Sequence, residues 1–309
     1  RPGLCAIVVY GHQPSASTQN MVFAEALVGE LRQAVRVAVV GGAVATLDDR
    51  VARVGPYVVV IRGEGFDTLV NLVRAPVVVT VPPPPIIDHV PRVAYDLMNP
   101  SKYRAHNHHA LTGPRTPYAS IYASLGCPYR CSFCCIQAPF RDGKPNTTFG
   151  KNVYRLKPPD VVVDEIDWLA EHWGARTIRF DDEMFGLNAK WLRELCDKLA
   201  KCPYARDLNL WAYARIDQGL DEEALDRLRR AGFRWLCYGI ESASDAVRTG
   251  VNKAGYDADE IERVVQMTEE AGIEVLANYM IGLPDDTAES INETVEFAYE
   301  LNTAWANFY

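Results

Sequence analysis

The stretch Cys127-Pro128-Tyr129-Arg130-Cys131-Ser132-Phe133-Cys134 decides how this chain is read. Its cysteines, spaced C-x3-C-x2-C, can fold round a cube of iron and sulfide and supply three thiolates. Iron–sulfur clusters are normally held by cysteine thiolates, four for a closed cluster. Three leave one iron of a [4Fe-4S] cluster open, and an open iron is a place for chemistry as well as for electrons. The plainer readings are a structural zinc knuckle or three buried thiols. Zinc sites usually add a second cysteine pair or histidines downstream, and no second pair follows here. Cys135 adjoins the third ligand and is read as non-ligating, because adjacent residues rarely fit two corners of one cube. Cys5, Cys196, Cys202 and Cys237 read as core or surface thiols.

Downstream, strand and helix patterns alternate. Strands are expected at Ile121–Ser124, Thr177–Phe180, Leu208–Ala214, Arg234–Ile240, Glu274–Ile281 and from Trp305. Helices are expected at Pro159–Trp173, Ala189–Lys201, Asp221–Ala231, Asp257–Ala271 and Asp286–Leu301. Gly232 and Gly272 close two of them. Repeated right-handed βα units build a parallel sheet that curls, and fewer than eight leave a partial barrel. Barrels place their chemistry at the carboxyl ends of the strands. The cysteine loop follows the first strand, Asp181-Asp182-Glu183 the second, Arg215 and Asp217 the third, Glu241 the fourth and Gly282-Leu283-Pro284 the fifth. Each acidic residue could equally be a helix cap. As a group they form a polar rim.

The cysteine stretch, with Phe133 just before its third cysteine, resembles the cluster loop of radical S-adenosylmethionine (SAM) enzymes. The resemblance implies that SAM chelates the open iron and is cleaved to methionine and a 5′-deoxyadenosyl radical. It implies that Asp181, Asp182 and Glu183 take the place of the motif that binds the SAM amino group. By the same likeness Glu241 would touch ribose or methionine, Gly282 and Pro284 would lie against adenine, and Arg215 would meet a carboxylate. Phe133 is counted with these contacts.

Residues 1–81 read as strand, helix, strand, strand, with apolar runs at Leu4–Tyr10, Val35–Val40 and Tyr57–Ile61. Apolar strands alternating with helices argue for a parallel, Rossmann-like sheet, and ligands on such sheets bind beyond the carboxyl ends of the strands. The loops there carry Ser15, Ser17 and Thr18, then Gly41 and Gly42, then Gly63, Glu64 and Gly65. This region is similar to the cobalamin-binding domain that precedes many radical SAM enzymes. The serines would bond the nucleotide tail of cobalamin, and the glycines would let the backbone approach it. A Rossmann-like half-domain without a cofactor is the plainer reading. The Asp-x-His-x-x-Gly element of the family would fall before residue 1.

The fold expected is therefore α/β: a partial Rossmann-like cobalamin-binding domain at 1–81, a proline-rich connector at 82–117 and a partial (β/α)6 radical SAM barrel at 118–309. Pro82-Pro83-Pro84-Pro85 cannot continue a sheet, and His106, His108 and His109 read as a solvated loop. Both ends read as cut from a longer protein.

The chain has 309 residues and a net charge of −8, so nothing favours a nucleic-acid partner. No apolar run reaches the ~18 residues of a membrane helix. No signal peptide is visible, and eight cysteines are few for a disulfide scaffold in a chain this long, so a reducing cytoplasm is expected. The resemblance implies a cobalamin-dependent radical SAM enzyme. The reaction expected is methylation of an unactivated carbon of a small molecule or lipid-linked metabolite, with methylcobalamin as methyl donor and flavodoxin or ferredoxin as reductant. The substrate would lie between the two domains. Cyclisation or rearrangement on the same cofactors, a cobalamin-free radical SAM enzyme and a zinc-binding module without catalysis are the alternatives.

Overall fold

The computed structural model describes residues 4–9, 14–31, 33, 36–41, 58–62, 66–74, 92–134 and 154–309. The chain divides into two compact units, residues 1–90 with 126–155 and residues 91–125 with 156–309.

In the first unit, β1 (Leu4–Val9), β2 (Arg36–Gly41) and β3 (Val58–Arg62) form a parallel sheet in that order. Val and Ile make up half or more of each, residue types that favour strands. Helix α1 (Pro14–Leu31) joins β1 to β2, and α2 (Phe66–Arg74) follows β3. The register pairs Val9 with Gly41 and Gly41 with Arg62. The carboxyl ends of the three strands are therefore level along one sheet edge.

The second unit holds a six-stranded sheet. Its members are β4 (Tyr118–Ile121), β7 (Thr177–Phe180), β8 (Asn209–Ala214), β9 (Phe233–Glu241), β10 (Glu274–Tyr279) and β11 (Trp305–Phe308). They lie side by side in sequence order and every pairing is parallel. Two short strands, β5 (Ser124–Leu125) and β6 (Arg155–Leu156), pair with each other. Helices α3 (Pro159–His172), α4 (Ala189–Leu199), α5 (Glu222–Arg230), α6 (Asp245–Gly250), α7 (Ala258–Glu270) and α8 (Ala288–Leu301) make the crossovers.

Helix α3 shows why these segments pack. Val162, Ile166, Leu169 and Ala170 recur at helical spacing and are buried, each large one contributing about 1.5–3 kcal/mol by leaving water. Glu165 sits in the same buried stripe, where Lys157 meets its carboxylate at 3.0 Å. Asp221, Asp257 and Thr287 cap α5, α7 and α8 by accepting amide hydrogen bonds three residues on.

Three expectations are corrected. The first barrel strand was expected at Ile121–Ser124, but β4 ends at Ile121. The Ala123 amide instead donates to Asp182 Oδ1 (2.9 Å) and the Ala123 carbonyl accepts from the Lys157 amide (2.8 Å), so that stretch has left the ladder. Helix α6 was not anticipated; Ser244 caps it through the Val247 amide. The histidine segment is a solvated loop only in part: His106 is exposed, but His108 and His109 are not. His108 and His109 are 5% and 1% exposed, with rings 4.2 Å apart. His108 packs 4.9 Å from Trp235, and His109 lies 5.5 Å from Trp211. Thr112 Oγ1 donates to Asn209 Oδ1 (2.8 Å) and accepts from the Trp235 indole (2.6 Å). Both imidazoles are pushed down, His108 to about 4 and His109 to about 3, by burial first and then by neighbouring cations. A neutral imidazole packs on an indole without the cost of burying charge, which composition alone does not reveal.

Candidate active site

The carboxyl ends of β7, β8 and β9 each deliver a buried charged residue, and the structure gives each a partner of opposite sign. Beyond β7, Asp181 forms an ion pair with Arg179. The Arg179 guanidinium lies 4.6 Å from the Trp211 ring centroid and 5.4 Å from that of Tyr213, so cation–π attraction helps fix it. Beyond β8, Arg215 grips Asp217 in a two-pronged contact, Nε to Oδ1 at 2.7 Å and Nη2 to Oδ2 at 2.8 Å. That geometry is the strong form of the arginine–carboxylate pair.

At the end of β9, Glu241 Oε1 accepts from Lys253 Nζ at 2.5 Å, with the two side chains 9% and 6% exposed. Glu241 has φ +68°, and the β9–β10 register slips there so that Tyr279 faces Glu241. Burial is the largest single influence and works against the Lys253 charge, but the attraction and hydrogen bond of Glu241 together with Tyr256 leave the lysine pKa raised. Arg215 also acts electrostatically on Lys253 and on Tyr256, so these groups share one electrostatic neighbourhood.

Asp182 lies elsewhere. It is 1% exposed and turns inward, accepting from the Ala123 amide and the Ser124 hydroxyl. It thereby ties the end of β7 to the residues that lead into the cysteine stretch. Burial raises its pKa to about 7, against those two hydrogen bonds, which lower it. Glu183 is half-buried. Beyond β10, Gly282 and Pro284 are exposed on a turn that Asp286 secures, its Oδ2 accepting the Gly282 and Leu283 amides at 2.8 and 2.9 Å. Lys253 and Arg179 carried no motif signal. Lys253 follows its partner by twelve residues across an intervening helix. The one available hint for Arg179 was a cation two residues before Asp181, on the same face of a strand.

Cys127 and Cys131 are half-buried and Cys134 is exposed, none of them in a disulfide. The Cys134 amide bonds the Cys131 carbonyl at 3.1 Å, a tight turn that brings the last two cysteines round on each other. Phe133 between them is half-buried. Three thiols on one short turn suit an iron–sulfur cluster as a donor set. Among the described residues, no three His, Cys, Asp or Glu side chains are gathered as a metal centre. Cys135 lies outside the described residues. Cys196 and Cys237 are buried core thiols, and Cys5 and Cys202 are half-buried.

In the first unit the backbone places Ser15, Ser17 and Thr18 in the opening turns of α1, just after β1, and Gly41 at the end of β2. These positions share the sheet edge where Val9, Gly41 and Arg62 are level. Gly42, Gly63, Glu64 and Gly65 lie outside the described residues. Among the described residues no helix is long and apolar enough to cross a membrane.

Comparison with known proteins bears on this arrangement. An uncharacterized methyltransferase of Pyrococcus horikoshii is 27% identical over 230 residues, which are 74% of this chain and 45% of that protein. The anaerobic magnesium-protoporphyrin IX monomethyl ester cyclase of Rubrivivax gelatinosus is 28% identical over 302 residues, 88% of this chain and 50% of the cyclase. The chain thus spans about half the length of these curated relatives. Among solved structures, the radical SAM methyltransferase TsrM of Kitasatospora setae, with cobalamin and a [4Fe-4S] cluster bound, matches with a TM-score of 0.73. The match has 21% identity and covers 99% of this chain and 61% of TsrM. The family model described as the radical SAM superfamily matches residues 121–298. With its cysteine turn and the charged ends of its parallel strands, the chain belongs to the radical SAM superfamily.

Proposed function

We propose that the protein is a cobalamin-dependent radical SAM methyltransferase acting on an unactivated carbon of a small molecule or lipid-linked metabolite. One observation carries the reading. A C-x3-C-x2-C turn follows the first strand of a parallel sheet whose next three strands lead into Asp181, Arg215 and Glu241. When bound, the cluster and the corrinoid supply the electron for SAM cleavage and the carriage of a methyl group.

Cys127, Cys131 and Cys134 hold the cluster in this reading. Asp181, ion-paired with Arg179, offers an acceptor to the SAM amino group. Arg215 and its Asp217 partner present donors and acceptors to the methionine carboxylate or to substrate, and Glu241 takes the ribose hydroxyls. The Gly282–Pro284 turn, stiffened by Asp286, offers adenine a flat face. In the first unit, Ser15, Ser17, Thr18, Gly41, Gly42, Gly63, Glu64 and Gly65 line the corrinoid site, with 82–117 as the connector. The level strand ends at Val9, Gly41 and Arg62 support that assignment, because loops on parallel strands converge at such an edge. A one-electron donor such as flavodoxin or ferredoxin is the partner this chemistry needs.

Oxidative cyclisation on the same cofactors is the second reading, favoured by the cyclase likeness, which extends over 302 residues. The test uses anaerobically reconstituted protein, cobalamin and methyl-labelled SAM. Methyl transfer predicts label in the product, and cyclisation predicts 5′-deoxyadenosine with an unlabelled product. Full turnover without cobalamin would overturn both.

A further inference from the structure

The end of β9 is built with more care than an acidic strand end needs. Glu241 holds φ +68° without being glycine, a conformation that costs about 1–3 kcal/mol and persists only where the surroundings over-determine it. Those surroundings are identifiable. The Glu241 carbonyl accepts the Met280 amide at 2.8 Å. The following segment folds back as a clamp around Arg248, whose side chain is wholly buried and donates to the carbonyls of Ser242, Ala243 and Tyr256. The Lys253 amide in turn donates to the Arg248 carbonyl at 2.9 Å, which delivers its ammonium to Glu241 Oε1. A Cβ at Gly239 would lie 2.6 Å from Glu241 Oε1 and 2.6 Å from Lys253 Nζ. A side chain at position 239 would thus displace the ends of both partners.

A buried lysine–glutamate pair is a weak device for stability, because desolvation offsets much of the attraction. Its better use is to hold one carboxylate in one orientation. We propose that Lys253 is a positioning residue: it binds Oε1 of Glu241 and so aims Oε2 at the hydroxyl donors of the SAM ribose. This rests on the reading of Glu241 as a SAM contact. Gly239 leaves the pair its room, and the Arg248 clamp fixes the lysine.

The test is the SAM dissociation constant, by equilibrium dialysis on anaerobically cluster-loaded protein. E241Q and K253M are each expected to weaken SAM about tenfold or more, the usual effect of losing a charge-assisted hydrogen bond. K253R keeps the cation and recovers part of the affinity. The double variant binds no more weakly than E241Q alone, since both changes remove one interaction. G239A crowds the pair while leaving both charges, and its loss of affinity carries the test if K253M does not fold. A loss in E241Q with wild-type binding in K253M and G239A overturns this inference alone, as do additive losses in the double variant. Wild-type binding by E241Q overturns the reading of Glu241 and this inference together.

Discussion

Asp181 and Asp182 are neighbours in sequence and opposites in environment. Asp181 is paired with a cation. Asp182 is sealed against Ala123 and Ser124, and burial raises its pKa to about 7. An unfolded aspartate titrates near ~3.9. Between about pH 4 and about pH 7 the unfolded chain has released a proton that the folded chain keeps. Stability therefore falls as pH rises through that window and levels off above it. The D182N variant should flatten this fall, whose slope is at most about 1.4 kcal/mol per pH unit. Urea midpoints of both proteins across the window check it, and identical slopes would refute the burial account. The acidic triplet at a strand end was legible in the sequence. Which carboxylate faces inward was not, because adjacent side chains at a strand end diverge according to tertiary contacts.

At the scale of elements, the barrel was read closely because helical period, caps and breakers are local signals. Asp221 and Asp257 were expected as the first residues of their helices and prove to be the N-caps just before them. Gly232 closes α5 with φ +103°, where a Cβ would lie 2.6 Å from Leu208 Cβ and 3.0 Å from the Ala205 carbonyl. G232A combines backbone strain with overpacking, so a loss of roughly 2–4 kcal/mol is expected in denaturant unfolding. The connector was misread at His108 and His109, because polarity was taken for solvation, while His106 is exposed as expected. His108, His109 and Thr112 instead pack on the amino-end residues Asn209, Trp211 and Trp235 of two barrel strands. They lie at the far end of those strands from Arg215 and Glu241.

For the molecule as a whole, the proposed cofactors depend on different stretches of chain, the cluster on Cys127, Cys131 and Cys134 and the corrinoid on loops within residues 1–81. C131A should accordingly abolish SAM cleavage while the purified protein keeps its corrinoid. Mass spectrometry of 5′-deoxyadenosine and the corrinoid absorbance check the two halves separately. Normal cleavage by C131A would remove that thiolate from the cluster. The sequence by itself determined the cysteine spacing, the parallel βα order and the charged strand ends, because these are periodic or contiguous patterns. Only the tertiary structure decided how those charges are matched, Arg179 to Asp181 and Lys253 to Glu241, and that Asp182 turns inward. Which side chains become partners is set by where the folded parallel sheet brings them in space, and chain order alone does not encode it.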